Sequence, residues 1–380
     1  MSWTNKFNWR QSLFDFITVT IPALILILMV FELIVFRFIV PASNHIPQTY
    51  DLDHHIMKNE SNVRGVNRTR DYKAQFSINN HGWNSPHNYV EERTTGKARI
   101  AVIGDSFVEA FQVDVERSFP YVLEKELIEQ EYNVEVYGFG FSGVPLSQYL
   151  QMMRYVCKVF APDILIVNIV HNDFLASLNG VGGNPHLLTY AQDDDGTTFF
   201  EVQPTPYHPD ARRRLLAKSA VVRFLYFDLD FMQFTFSLFR KPEDSMAVEA
   251  NIRLDEIKDW EQLDALTRHI FAEYQHLAQA HGARLLLVMD TPRQFIYAGQ
   301  DPKQATTYKL NKFACQNADG LDIPFIDMTD TFVADYAAHH HRFEFEHNGH
   351  WNAYAHQLVG ETIADFITQS GWLVVNRQEP

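Results

Sequence analysis

From Phe16 to Phe31 the chain reads FITVTIPALILILMVF, without a single charge, and the apolar runs LIVF and FIV carry on past Glu32 to Pro41. A helix needs about 20 mostly apolar residues to cross a bilayer, so this pattern predicts one membrane-spanning helix over 16–41. A signal-peptide core is shorter, about 7–15 residues, although VPAS at 40–43 also fits a weak cleavage site. Lys6 and Arg10 precede the span, and after Arg37 no Lys or Arg follows until Lys58. That asymmetry predicts a cytoplasmic tail over 1–15 and the bulk of the chain on the far side of the membrane, periplasmic in a Gram-negative cell. Glu32 falls inside the span, a costly place for a carboxylate, with Arg37 as its expected partner.

Residues 42–95 lack helical periodicity and read as a linker with lead-in strands, including QFSINNHGWNS at 75–85. Then the pattern changes. ARIAVIG, VEVYGFG and DILIVNIV are continuous apolar runs, as expected for strands buried on both faces. Between them, ERSFPYVLEKELIEQ puts Phe119, Val122, Leu123 and Leu127 on one helical face, and Pro145 opens a second helix, PLSQYLQMMRYVCKVF. Alternation at this spacing predicts a parallel sheet with right-handed crossovers. Residues 175–250 interrupt it with loops and an aromatic stretch, SAVVRFLYFDLDFMQFTFSLF, which carries Arg223, Asp228 and Asp230 and so does not read as a second span. It is expected to pack over the domain and shape a cleft, with Phe224, Tyr226, Phe231, Phe234 and Phe236 serving as core more readily than as a sugar-stacking platform. The α/β pattern resumes with a helix over about 256–281, the strands ARLLLVMD and IPFIDM, and a closing helix, NAYAHQLVGETIADFI. One α/β domain is therefore expected over 96–375.

The formal charge of −15 over 380 residues excludes nucleic acid as a partner, because phosphate binding needs concentrated Lys and Arg. Two cysteines, Cys157 and Cys315, cannot make a disulfide scaffold, and whether they pair is left open. His339, His340, His341 and His347 lack the carboxylate–His spacing of zinc enzymes, so neither a metal nor another cofactor is expected. The oligomeric state is not legible.

Candidate chemistry sits at the strand ends, where open parallel sheets bind ligands. The first strand ends on Gly104-Asp105-Ser106, the second on the Gly-rich GFGFSGV, the third on His171-Asn172-Asp173, and His350 follows the last strand. Acyl transfer needs a hydroxyl nucleophile, a base and donors for the developing oxyanion, and all three part types are present. These blocks, in this order and each leaving a strand, resemble the SGNH/GDSL hydrolases, in particular the bacterial extracytoplasmic kind with an N-terminal membrane anchor. The resemblance covers roughly residues 70–370 and implies a flavodoxin-like three-layer α/β/α fold. It implies Ser106 as nucleophile and His350 as base, with Ser106, Gly143 and Asn172 as oxyanion donors and Asp105, Gly140, His171 and Asp173 around the cleft. Asp105 reads as a structural residue of the turn, Asp173 as a cap or loop bond, and His171 as a satisfied, semi-buried histidine.

One departure stands out. The family places an Asp two or three residues before its His, where this chain has Asn348 and His347. Glu346, four back, is the nearest candidate to orient His350; Asp327 or Asp330 could serve instead, or a Ser–His dyad held by a backbone carbonyl. Ala110 stands where a glycine is common after the nucleophile. The resemblance implies an ester hydrolase or O-acyltransferase working outside the cytoplasm on acyl groups, with acetyl groups of cell-surface or secreted glycans as the favoured substrate and small esters as the simpler one. The alternative is a degenerate domain that binds glycan or scaffolds a membrane assembly without catalysis.

Overall fold

The apolar runs become five parallel strands: β1 (Ala98–Gly104), β2 (Val134–Gly140), β3 (Ile164–Ile169), β4 (Arg284–Met289) and β5 (Phe325–Asp327). Their order across the sheet is β5-β4-β3-β1-β2, the flavodoxin-like arrangement. Alternate residues of β1 face opposite ways: Ile100 and Val102 belong to one apolar cluster, Ala101 and Ile103 to the other. Against the first face pack α2 (Phe119–Glu129), α8 (Thr329–His339) and α9 (Ala353–Gln369). Against the second pack α3 (Leu146–Phe160), α5 (Trp260–Ala280) and α7 (Tyr308–Asp319). Three short helices leave strand ends: α1 (Ser106–Glu109) after β1, α4 (Asn172–Leu175) after β3 and α6 (Arg293–Tyr297) after β4. This is the three-layer fold that the sequence pattern anticipates.

The computed structural model describes residues 9–181, 184–211, 214, 217–229, 248, 249, 252, 253 and 257–373. The chain divides into two compact units, Met1–His45 with Arg68–Arg70 and Asp210–Phe239, and Ile46–Asn67 with Asp71–Pro209 and Arg240–Pro380. In the first, Trp9–Ile39 form one 31-residue helix, long and apolar enough to cross a membrane, with no residue of its most apolar stretch buried in the protein. In the second lies the sheet.

Several expectations need correcting. Residues 42–95 hold the expected lead-in strands, at 48–51, 56–59, 64–68 and 73–77, but their later part is core and not linker: Trp83 is fully buried, and Tyr89 stacks on Tyr137 at 4.0 Å in the core around α3. Pro145 caps α3 rather than entering it, and the helices at 308–319 and 329–339 were missed. In the aromatic stretch, Ala220–Arg223 and Phe224–Asp228 run on as one helix within the first unit, where Phe224 stacks on Phe36 at 4.0 Å. Phe231, Phe234, Phe236 and Asp230 lie outside the described residues, as does Lys6. Cys157, buried, and Cys315, exposed, are both free thiols.

Two glycines near the strand ends behave differently, and the contrast can be measured. A Cβ on Gly140 would sit 2.1 Å from the backbone nitrogen of Glu109, which cannot move without displacing α1. A Cβ on Gly143 meets nothing within 4 Å, but its φ of +75° disfavours any side chain. In denaturant unfolding, Gly140→Ala should cost about 3 kcal/mol or prevent folding, while Gly143→Ala should cost about 1 kcal/mol.

Candidate active site

Strand β1 runs into Asp105, whose side chain caps α1 by accepting the Phe107 N–H at 2.9 Å, so Ser106 opens the helix at the carboxyl edge of the sheet. Ser106 is 8% exposed. Its Oγ lies 2.8 Å from His350 Nε2 and 3.0 Å from Asp105 Oδ2, two acceptors for one hydroxyl proton. Burial raises the Asp105 carboxyl to about 6. Ala110 closes α1 with φ 54°, a left-handed position where glycine would be at ease.

His350 follows a tight turn. Asn348 Oδ1 accepts both the His350 backbone N–H, at 3.0 Å, and the ring Nδ1–H, at 2.6 Å. A backbone N–H can only donate, so the Asn348 atom it meets must be the carbonyl oxygen and not the amide nitrogen. The ring therefore carries its proton on Nδ1 and presents an unprotonated Nε2 to Ser106. Glu346 does not take this place. It is exposed, and the nitrogen it was expected to meet is occupied by Asn348. Asp327 instead accepts from Tyr308, Asn311 and Thr329, and Asp330 from Lys303. The expected dyad with a backbone carbonyl is not formed either.

Arg293, on α6 and 5% exposed, holds the same loop by donating to the Gly349 carbonyl at 2.6 Å. It contacts Asp290 Oδ2 and Glu344 Oε2, each at 3.2 Å. The second contact is an ion pair without hydrogen-bond alignment, and Arg293 Nε has no partner. Burial first, and the Arg293 charge second, push His350 down to about 4. With a neutral amide behind it, nothing offsets that push.

The remaining candidates separate by position. Asn172 lines a cavity of about 90 Å³ with Phe107, His171, Asp290, Arg293 and Gly349, and its amide makes no hydrogen bond to the described protein. His171 is buried, bonded through Nε2 to Asn311 Oδ1 at 2.8 Å, and burial lowers its affinity for a second proton. Gly143 sits exposed on the turn after β2 and is not among the cavity residues. Gly140, Asp105 and Asp173 do not line the cavity, and Ser106 and His350 lie beside it without lining it. Gly140 is the strand end that lets α1 approach, and Asp173 is fully buried, accepting from Tyr149 and from the Val170 N–H, both at 2.8 Å. No cavity residue comes from 175–250, so the described part of that insertion does not shape this cavity. Among the described residues no cluster is placed to hold a metal ion.

Sequence reasoning missed Asn348, Arg293 and Glu109. Buried Glu109 accepts from Asn59 at 2.8 Å and from both the backbone N–H and the hydroxyl of Ser142, next to Gly143. Asn348 alone left a positional signal, since it stands two residues before His350, where the resembled family places its Asp.

The His350 environment makes a prediction. A histidine with a lowered pKa stays neutral until the pH falls to that value, so His350 should titrate near pH 4. In Asn348→Asp, the added carboxylate beside Nδ1 favours the charged ring and should raise the value by about 1–3 units. Selectively labelled histidine NMR reads both values; a wild-type pKa near 6.5 would contradict the described environment.

Residues 100–205 match the family described as GDSL-like Lipase/Acylhydrolase. No curated protein matches the chain. Solved structures similar to it include TesA (12% identity, 72% of this chain and 99% of that chain, TM-score 0.41) and the acetyl xylan esterase AlAXEase (12%, 71% and 99%, 0.41). A lipase/acylhydrolase from Enterococcus faecalis is also similar (13%, 74% and 99%, 0.40). Likenesses this distant say nothing of substrate. The family match spans 106 of the chain's 380 residues and takes in the Gly104-Asp105-Ser106 turn, strands β2 and β3 and Asn172.

Proposed function

We propose that the protein is a serine-dependent acyl-ester hydrolase or O-acyltransferase that acts outside the cytoplasm on acetyl groups of cell-surface or secreted glycans. The observation that carries the reading is the 2.8 Å contact between Ser106 Oγ and an Nε2 that the Asn348 oxygen leaves unprotonated. Ser106 attacks the acyl carbonyl as its proton passes to His350 Nε2. The Ser106 and Gly143 N–H groups and the Asn172 amide serve as donors to the oxyanion. The tetrahedral intermediate expels the alcohol oxygen, which takes the proton from His350, and an acyl-enzyme remains. Water then attacks that acyl group in a hydrolase, or a sugar hydroxyl in a transferase; His350 takes the attacking proton and returns it to Ser106 Oγ as the acyl–Oγ bond breaks. Asn348 orients the ring without charge, as the Asn of papain-like sites does.

A cavity bordered by Phe107 and Gly349, the sequence neighbours of Ser106 and His350, supports a small acyl group on a polyhydroxylated alcohol. It is small, and apart from Phe107, Val170 and Gly349 its lining is polar, with His171, Asn172, Asp290, Thr291, Arg293, Gln294 and Glu344 offering both donors and acceptors. A long acyl chain would find few apolar partners there. The N-terminal helix, apolar and unburied, supports a membrane anchor with the domain on the far side. The neutral Asn348, which does nothing to stabilise a charged His350, is what favours the second reading, a non-catalytic glycan-binding domain.

Steady-state assays on p-nitrophenyl esters and on an acetylated polysaccharide decide between them. Acetyl esters should turn over in preference to octanoyl esters, and Ser106→Ala should lower kcat by about 10⁴ or more while the folded protein is retained. No turnover of any ester by wild type would favour the binding reading, whereas turnover unchanged in Ser106→Ala would overturn Ser106 as the nucleophile. Free acetate against acetyl appearing on an added glycan separates hydrolysis from transfer.

A further inference from the structure

Glu32 sits well inside the apolar helix, yet its carboxylate is fully engaged. It accepts from Arg37 Nη2 at 2.8 Å, from Ser219 Oγ at 2.8 Å, and from the backbone N–H groups of Ala220 and Val221 at 2.9 and 3.0 Å. Those two N–H groups belong to the first turn of the 220–228 helix, where a helix has donors without partners of its own. The far end of this helix is tied too. Asp228 accepts from the Ser43 N–H at 2.9 Å and from the Ser43 hydroxyl at 3.2 Å, and Phe36 stacks on Phe224 between these two ties. Arg37 also donates to the Lys218 carbonyl.

The segment is thus clamped along the carboxyl-terminal part of the N-terminal helix, and what it leaves uncovered is apolar. Leu225, Tyr226 and Leu229 are 41%, 50% and 54% exposed, beside a helix most of whose apolar side chains are also exposed. A carboxylate in a span is costly unless it is paired, and this clamp supplies four donors at that point. A Tyr flanked by leucines at the end of a span suits the headgroup boundary.

We propose that residues 219–229 form a second membrane element: a short helix docked on the anchor through Glu32 and tied by Asp228 to Ser43 just past the anchor's end, with Leu225, Tyr226 and Leu229 immersed in the lipid interface. This rests on the anchor part of the proposed function and not on its chemistry. It also makes the N-terminal helix a permanent part of the fold, because removing it as a leader would strip the 220–228 helix of its carboxylate partner.

The test uses the full chain in lipid vesicles at low protein-to-lipid ratio, in a Cys315→Ser background, since buried Cys157 is shielded from reagent. Single variants Leu26→Cys, Leu52→Cys, Leu225→Cys and Leu229→Cys are reacted with a water-soluble maleimide. Leu52 is 61% exposed and lies outside the first unit, so it reports free access; Leu26 lies in the span. Positions 225 and 229 should react about tenfold more slowly than 52, as 26 does, and Glu32→Ala should restore access at 225. Rapid reaction at 225 and 229 with 26 protected would overturn the inference alone, whereas rapid reaction at 26 would overturn the anchor beneath it. Protection at 225 that disappears on further dilution with lipid would point to a second copy of the chain and overturn lipid as the occupant. Protection unchanged in Glu32→Ala would overturn docking through that carboxylate.

Discussion

Strands β1 and β3 lie side by side although β2 comes between them in the chain, and the candidate site depends on that adjacency. A parallel sheet must return each strand over the top through a helix, so every strand ends at the same edge. Where the winding reverses, two neighbouring strands send their crossovers to opposite faces and leave a crevice between them. Ser106 leaves one of these strands and His171-Asn172 the other. The side-by-side register of Ile100 with Ile164 through Ile103 with Val167 brings both ends to one level. The remaining parts are then delivered by short segments: Arg293 by the helix after β4, and His350 by the turn that opens α9.

What this arrangement does electrostatically differs from a charged triad. An aspartate behind the imidazole both selects its tautomer and stabilises the imidazolium that forms in the reaction. Asn348 supplies the first service through one oxygen that accepts two N–H groups. It does not supply the second, and Arg293, whose bond to the Gly349 carbonyl keeps the loop in place, works against it. Asn348 orients the base, while burial and the Arg293 charge make it a weaker one. Positioning and basicity are thus separate properties here, set by different groups.

Much of this was legible in the sequence, for identifiable reasons. Continuous apolar runs ending on Gly104-Asp105-Ser106 and on His171-Asn172-Asp173 are what a two-sided buried strand with a polar end looks like, so the sheet and its edge could be read directly. The partner of His350 could not, because the search was for a carboxylate. The solution is a side chain folding onto the backbone two residues on, an Asx turn that the spacing of Asn348 and His350 permits but that composition does not announce. Glu109 and Arg293 were invisible for another reason: their roles come from long-range contacts, to Asn59 and Ser142 in one case and to Gly349 in the other. The 220–228 helix misled because an apolar stretch looks the same whether its cover is protein or lipid; only the bonds to Glu32 and Ser43 show that it packs on the N-terminal helix.

The account turns on Ser106 being an activated nucleophile despite a neutral residue behind its base. Intact-mass analysis of the protein after exposure to a serine-directed fluorophosphonate asks this directly, without knowledge of the substrate. A single adduct on wild type, absent from Ser106→Ala and strongly reduced in His350→Ala, is the expected result. A folded wild-type protein that takes up no adduct would contradict the account.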